Sequence, residues 1–160
     1  MAAGDWPPYR TEVRPEWGDY NGHLNDASYF LIFSRATDAI LDLIGMDEAC
    51  RRRHACSVFT LETHICYLRE VHIGQTVEVD ARVLDLDAKR LHLFQTMRLA
   101  GEPEPVATAE TAFLHVDMTT RRGAPFRPEV HARLEAQRAL RAGEPWPERA
   151  GRAVGLSRRP

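Results

Sequence analysis

The chain has 160 residues, 44% of them apolar and 28% charged, with a formal net charge of −2. That length suits one well-packed domain rather than two, and the composition is that of a globular chain, not a disordered one. The near-neutral charge gives no electrostatic case for nucleic acid, and no apolar run approaches the ~20 residues of a membrane span.

A Pro-rich opening leads into a short strand expected over Tyr9–Val13, followed by the polar loop WGDYNGHLN. From Asn25 the pattern turns helical. Tyr29, Phe33, Ala36, Ile40 and Ile44 recur at steps of three and four, with Phe30, Thr37 and Leu41 beside them. Asn25 or Asp26 is placed to cap the N-terminus, and Gly45 to take a left-handed C-terminal cap. The helix predicted is about five turns long at 3.6 residues each, and apolar enough to be central.

After a shorter Arg-rich segment around Asp47–Arg53, the period switches to two. Phe59, Leu61, Thr63, Ile65 and Tyr67 alternate with Thr60, Glu62, His64 and Cys66. Val77 to Val83 give a second alternating strand, Leu91 to Leu99 a third and Val106 to Val116 a fourth. The links VHIGQ, DAK and GEPEP are short, which predicts consecutive antiparallel pairing as a meander. TTRRGAP then leads to a modest amphipathic helix over Pro128–Ala142, and the remainder, GEPWPERAGRAVGLSRRP, has no period. One domain is therefore expected over residues 1–142, with 143–160 a flexible C-terminal tail.

This order predicts an α+β domain in which one antiparallel sheet wraps around one long central helix. Such a sheet leaves edges in need of cover, so self-association is expected. The opening MAAGDWPPYR lacks the basic and apolar regions of a secretory signal. Cys50, Cys56 and Cys66 are an odd set without CxxC spacing, as suits free thiols in a reducing compartment. The expected location is cytoplasmic.

The loop before the helix crowds an acid, two glycines and a histidine against a helix start. A helix N-terminus offers unpaired N–H groups and a partial positive charge. A site that holds a carboxylate beside that positive end needs this set of residues, but on spacing alone the better reading is an Asx turn closed by Asp19 onto Asn21 or Gly22. The motif and its surroundings decide between these. Asp19-Tyr-Asn-Gly22-His23-Leu-Asn25-Asp26-Ala-Ser-Tyr29 resembles the Asp-x-x-Gly-His-x-Asn-Asn-x-x-Tyr stretch of the hotdog-fold acyl-CoA thioesterases of the 4-hydroxybenzoyl-CoA thioesterase type, with Asp26 in place of the second Asn. YLREVHIGQTVEV and HVDMTTRRGAPFRPEV resemble later segments of that family, so the likeness runs over roughly Val13 to Glu135. Within it, VRPEWGDYNGHLNDASYF, ATDAILDLIGMD, FTLETHICYLREVHIG and KRLHLF are similar to the betainyl-CoA thioesterases of carnitine catabolism. Some of those are fused behind a dehydrogenase, and no dinucleotide-binding glycine fingerprint occurs here.

The resemblance implies the hotdog fold and hydrolysis of an acyl-CoA to free acid and CoA, with betainyl-CoA the first substrate to test. Asp19 inherits the role of nucleophile or general base. The amide of Asp26 inherits that of oxyanion donor, with Gly22 permitting close backbone approach and His23 in support. A trimethylammonium group cannot donate a conventional hydrogen bond, so aromatic faces are expected around it. Trp17, Tyr20, Tyr29 and Phe33 are the aromatic substrate-binding candidates, with Asn25 beside them. Tyr29 and Phe33 lie on the helix's apolar stripe and suit the core, so Trp17 and Tyr20 are the better placed, and Glu62 is a countercharge candidate that is more simply an exposed strand residue. For the CoA phosphates, Lys89, Arg90, Arg121 and Arg122 are the candidate clamps, and Arg51–Arg53 is a further basic run.

No cofactor is expected, and no metal. His54-Ala-Cys56 and His64-Ile-Cys66 lack the paired spacing of a dependable zinc site. The expected assembly is a homodimer or homotetramer, with no nucleic-acid or membrane partner. The alternative function is a non-catalytic hotdog module that binds an acyl-CoA or a quaternary amine, since fold alone does not decide activity.

Overall fold

The computed structural model describes residues 4–156; positions 1–3 of the expected domain and 157–160 of the expected tail lie outside the described residues. Strand β1 (Tyr9–Glu12) is followed by a 3-10 turn (Pro15–Trp17), helix α1 (Asp26–Leu43) and a short helix α2 (Glu48–Arg53). Strands β2 (Cys56–Tyr67), β3 (Thr76–Leu86), β4 (Arg90–Leu99) and β5 (Pro105–Asp117) come next, then the two-residue β6 (Arg122–Gly123) and helix α3 (Pro128–Leu140). Among the described residues no helix is long and apolar enough to cross a membrane.

Helix α1 forms where the three-and-four spacing placed it. Asn25 caps it, its side-chain oxygen accepting from the Ala27 N–H at 3.0 Å. At the other end Gly45 takes φ +82°, which lets its N–H reach the Asp42 carbonyl and the Met46 N–H reach that of Leu41. Those paired bonds close the last turn. The stripe of Tyr29, Phe33, Ala36, Ile40 and Ile44 is buried throughout, joined by Ile32. Its N-terminal half packs on Val77, Val79, Met97, Leu99, Val106, Ala107 and Ala109. Its C-terminal half packs on Val83, Leu91, Leu93 and Phe113, with Val130 and Leu134 of α3 closing that end.

All strand pairs are antiparallel, in the order β1-β3-β4-β5-β2, with β6 on β5. This corrects the simple meander. β3, β4 and β5 pair consecutively, but β2 lies beside β5 at the far edge rather than beside β3. The eight-residue link from Leu68 to Gln75 carries the chain from β2 at the edge across to β3 instead of turning back. It has to pass three strand spacings of about 4.8 Å, and an extended chain of that length reaches ~26 Å. Short length alone therefore did not require pairing.

A second difference lies inside β2. Its register on β5 jumps between Thr60↔Phe113 and Glu62↔Ala112, so Leu61 is the extra residue of a bulge and the strand's faces exchange there. Thr63 and Ile65 face α1 as the alternation required, whereas Phe59 falls on the opposite side and Leu61 is 56% exposed. On that outer face, Arg82 donates to the main-chain carbonyls of Arg141, Glu144 and Pro145. Glu110 accepts from the Gly151 N–H at 2.7 Å, and Trp146 meets His92 edge-on. The described part of the segment after α3 thus lies along the outer face of the sheet.

Phe33 sits where helix and sheet meet, 1% exposed. Phe33→Ala is expected to cost about 3–5 kcal/mol, measured as a lowered denaturant midpoint at unchanged slope. A cost under ~1 kcal/mol would mean that α1 is not the centre of the core.

Candidate active site

The candidate site starts from a tight loop held by its own main chain. The Asp19 N–H donates to the His23 carbonyl at 2.8 Å, and the Gly22 N–H to that of Asp19 at 3.1 Å. Gly22 makes the turn at φ +76°, a conformation costly to a residue with a Cβ. One carboxylate oxygen of Asp19, Oδ1, accepts from the backbone N–H groups of Asn21 at 2.8 Å and His23 at 3.1 Å. The Asx turn weighed as the structural explanation is therefore present. It occupies one oxygen only; among the described residues Oδ2 has no hydrogen-bond partner, and Asp19 is half-exposed.

The loop is tied to the helix start by the Asn25 N–H, which donates to the Trp17 carbonyl at 2.9 Å. It is tied to the crossing link by Leu24 N–H to Val71 O at 2.7 Å and Ile73 N–H to Gly22 O at 3.2 Å. Asp26 then opens α1. Its own side chain, with that of Asn25, accepts from the Ala27 N–H, and the Tyr67 hydroxyl donates to its carbonyl at 3.1 Å. Among the described residues the Asp26 N–H meets no acceptor. The Tyr29 hydroxyl donates to the Arg69 carbonyl at 3.2 Å, and the Tyr29 and Tyr67 rings meet edge to face. Burial pushes both phenols above their usual range, which keeps them as donors at neutral pH.

The four substrate-binding candidates do not converge on a cage within one protomer. Trp17 is buried, with the guanidinium groups of Arg35 and Arg14 at 4.9 and 5.2 Å from its ring centroid. Tyr29 is core, and Asn25 is the helix cap. Tyr20 alone projects, 97% exposed at the loop tip. Glu62 faces the outer side of the sheet and lines a cleft of about 800 Å³ with His64, His92 and Glu110. Phe33 borders a smaller cavity of about 110 Å³ between α1 and β2. Neither cavity includes Asp19.

The four basic candidates share one end of the sheet. Lys89 sits in the β3–β4 turn and Arg90 opens β4, where it pairs with Asp87 at 2.6 Å; the Lys89 backbone N–H, and then Arg90, hold the Asp87 carboxyl below its usual range. The Lys89 carbonyl accepts from His115, and Arg122 lies opposite Asp117 across β5–β6, with Arg121 beside it at φ +58°. This is the Cys56↔Asp117 end of the β2–β5 ladder, whereas the Asp19 loop packs beyond its Tyr67↔Ala107 end. Strand rise puts roughly 35 Å between the two ends.

What the sequence reasoning missed is the wall facing the loop. Glu70 and His72 are exposed on either side of buried Val71, and His72 pairs with His23 as a cross-strand bridge. The polar-apolar-polar order of Glu70-Val71-His72 shows in the sequence that the two side chains could share a face, but not that this face meets His23.

Comparison with known proteins identifies the family of the chain. Residues 13–134 match the family model of the thioesterase-like superfamily. The chain is 47% identical over 148 residues to a betainyl-CoA thioesterase of Pseudomonas aeruginosa, covering 92% of this chain and 93% of that one. It is 38% identical over 149 residues to an L-carnitine dehydrogenase/betainyl-CoA thioesterase of Rhizobium meliloti, of which it spans 30%. Among solved structures, a Staphylococcus aureus protein in complex with CoA superposes with a TM-score of 0.89 at 28% identity, covering 98% of this chain and 99% of that one. A Pseudomonas putida protein described as a candidate thioesterase gives 0.83 at 40% identity, with the same coverage. The chain belongs to the thioesterase-like superfamily and has its hotdog fold. It is an enzyme of the thioester hydrolase class.

Because Asp26 also accepts from the Ala27 N–H, Asn25→Ala is expected to lower stability by only about 0.5–1 kcal/mol, the low half of the range for a lost cap. Chemical denaturation checks this; a larger loss would mean that Asn25 holds the loop as well as the helix.

Proposed function

We propose that the protein hydrolyses betainyl-CoA to betaine and CoA. The observation that carries this is the 47% identity with the Pseudomonas aeruginosa betainyl-CoA thioesterase over nearly the whole of both chains. Asp19 attacks the thioester carbon or activates the water that does so, through the Oδ2 left open by the Asx turn. The Asp26 N–H, at the positive end of α1, receives the oxyanion, where one such donor is commonly worth about 10²–10³ in rate. Gly22 keeps the loop tight beside the carbonyl, and His23 steadies Asp19 through its backbone N–H. Tyr20 meets the trimethylammonium group, while Trp17, Asn25 and Tyr29 hold the helix start behind it. The reaction belongs in the cytoplasm, in keeping with three cysteines that are all free.

The working enzyme is at least a homodimer, as a pair or within a tetramer. β2 is a long edge strand with Phe59, Leu61 and Tyr67 exposed along it, the kind of edge that recruits another strand. Two β2 strands joined antiparallel bring the partner's basic end, with its Lys89, Arg90, Arg121 and Arg122, toward the Asp19 end of the first copy. Those residues then grip the CoA phosphates of a site they could not reach within their own chain.

Free-thiol release from a panel of CoA esters tests the activity. A kcat/KM for betainyl-CoA roughly a hundredfold above that for its neutral tert-butylacetyl isostere is expected, and Asp19→Ala should lower kcat by about 10²–10⁴ while retaining CoA-ester binding. Equal rates on both esters would remove the betainyl assignment, and binding without turnover in the unmodified protein would leave only a binding module. The assembly has its own check. Leu61→Lys with Phe59→Lys should yield a monomer by light scattering that has lost turnover, whereas an active monomer would sink the shared-site reading.

A further inference from the structure

Beside the Asp19 loop, three side chains form a cluster that the hydrolysis does not use. His23, Glu70 and His72 each offer a ligand atom, and all three atoms lie within 4.8 Å of one another. His23 Nε2 and Glu70 Oε2 are already 3.6 Å apart, and the two imidazole rings meet edge-on with centroids 4.7 Å apart. On a tetrahedral zinc ion with bonds of about 2.0–2.2 Å, neighbouring ligand atoms stand ~3.4 Å apart. Closing the cluster onto one ion asks only for small rotations of Glu70 and His72, both exposed.

The backbone has already set this spacing. His23 and His72 are cross-strand partners, held by Leu24 N–H to Val71 O and Ile73 N–H to Gly22 O, and such partners carry their Cβ atoms about 4.5–5.5 Å apart. Val71 is fully buried, so Glu70 and His72 on either side of it both turn outward, as residues two apart do in extended chain. The nearest cation on the link, Arg69, is paired with Glu102 at 2.8 Å. Two imidazoles and one carboxylate suit a borderline ion such as Zn²⁺, not the all-oxygen demand of Ca²⁺ or Mg²⁺.

We infer that His23, Glu70 and His72 form a three-ligand Zn²⁺ site on the loop that carries Asp19, with a fourth position open to water. The inference rests on these residues and not on the thioesterase reading, and its readout is metal binding, so the two can fail separately. The free thiols and the other histidines are competing ligands, so single-site variants decide it. Isothermal titration of the metal-free full chain with ZnCl₂ is expected to show one dominant site per chain, and CoCl₂ to give the visible ligand-field absorption of a four-coordinate ion. His72→Ala and Glu70→Gln, both at exposed positions, should each weaken binding at least ~10–100-fold. Circular dichroism confirms that each variant is folded. Unchanged zinc affinity in both variants, or no binding by the unmodified chain, overturns the inference.

Discussion

The burial of one stripe of helix α1 in the curl of the sheet fixes everything near the candidate site. Each large apolar side chain on that stripe contributes about 1.5–3 kcal/mol by leaving water, and Tyr29, Ile32, Phe33, Ile40 and Leu41 are all buried on it. With the axis held along its length, the first turn is held too. An N–H without a partner there costs at most about 1–3 kcal/mol even when fully desolvated, less than the burial of any two of those residues. The fold can therefore leave the Asp26 amide open.

Around that first turn, the contacts serve orientation more than stability. The Tyr67 hydroxyl on the Asp26 carbonyl, the Tyr29 hydroxyl on the Arg69 carbonyl and the Asn25 N–H on the Trp17 carbonyl bind the helix start to β2, to the crossing link and to the loop. Three separate elements thus set the direction in which the open amide points. The raised pKa of both phenols preserves two of those contacts at any pH near neutrality. Trp17, flanked by Arg14 and Arg35, is likewise spent on structure: its ring already faces two cations of its own chain, and a third would meet their repulsion.

The central helix, its caps and the positions of β1 to β5 along the chain were legible in the sequence because each rests on local rules: spacing, capping oxygens, a glycine free to take positive φ. The limits were less so, since β2 starts at Cys56 and β3 runs to Leu86, each three residues beyond its alternation, and the two-residue β6 has no period. The place of β2 in the sheet was not legible, because pairing partners are chosen by tertiary fit and the eight-residue link permitted either route. Nor was the Leu61 bulge, since Phe59 and Leu61 continue the alternation that the bulge breaks. At the site, the motif marked Asp19, Gly22, His23 and Asp26 through resemblance, and nothing in the spacing alone ranked Asp19 above an ordinary Asx turn. Glu70 and His72 escaped notice for the same reason as the strand order. Only the crossing link brings them to His23, and a contact between positions 23 and 72 has no periodic signature.

The same crossing accounts for why one protomer looks incomplete for the proposed reaction. Sending β2 to the far edge leaves β5 covered on both sides and exposes a twelve-residue strand with an open ladder. It also divides the candidate chemistry: acid and amide at the Tyr67 end, basic residues at the Cys56 end. No side-chain motion spans roughly 35 Å of strand, so a single chain cannot place its own arginines over its own Asp19. A two-fold pairing of β2 edges removes the open ladder, covers Leu61 and Tyr67, and brings acid and base ends together twice. One physical defect of the isolated chain and one chemical defect are met by the same symmetric contact, and this coincidence is the strongest structural argument for the proposed dimer.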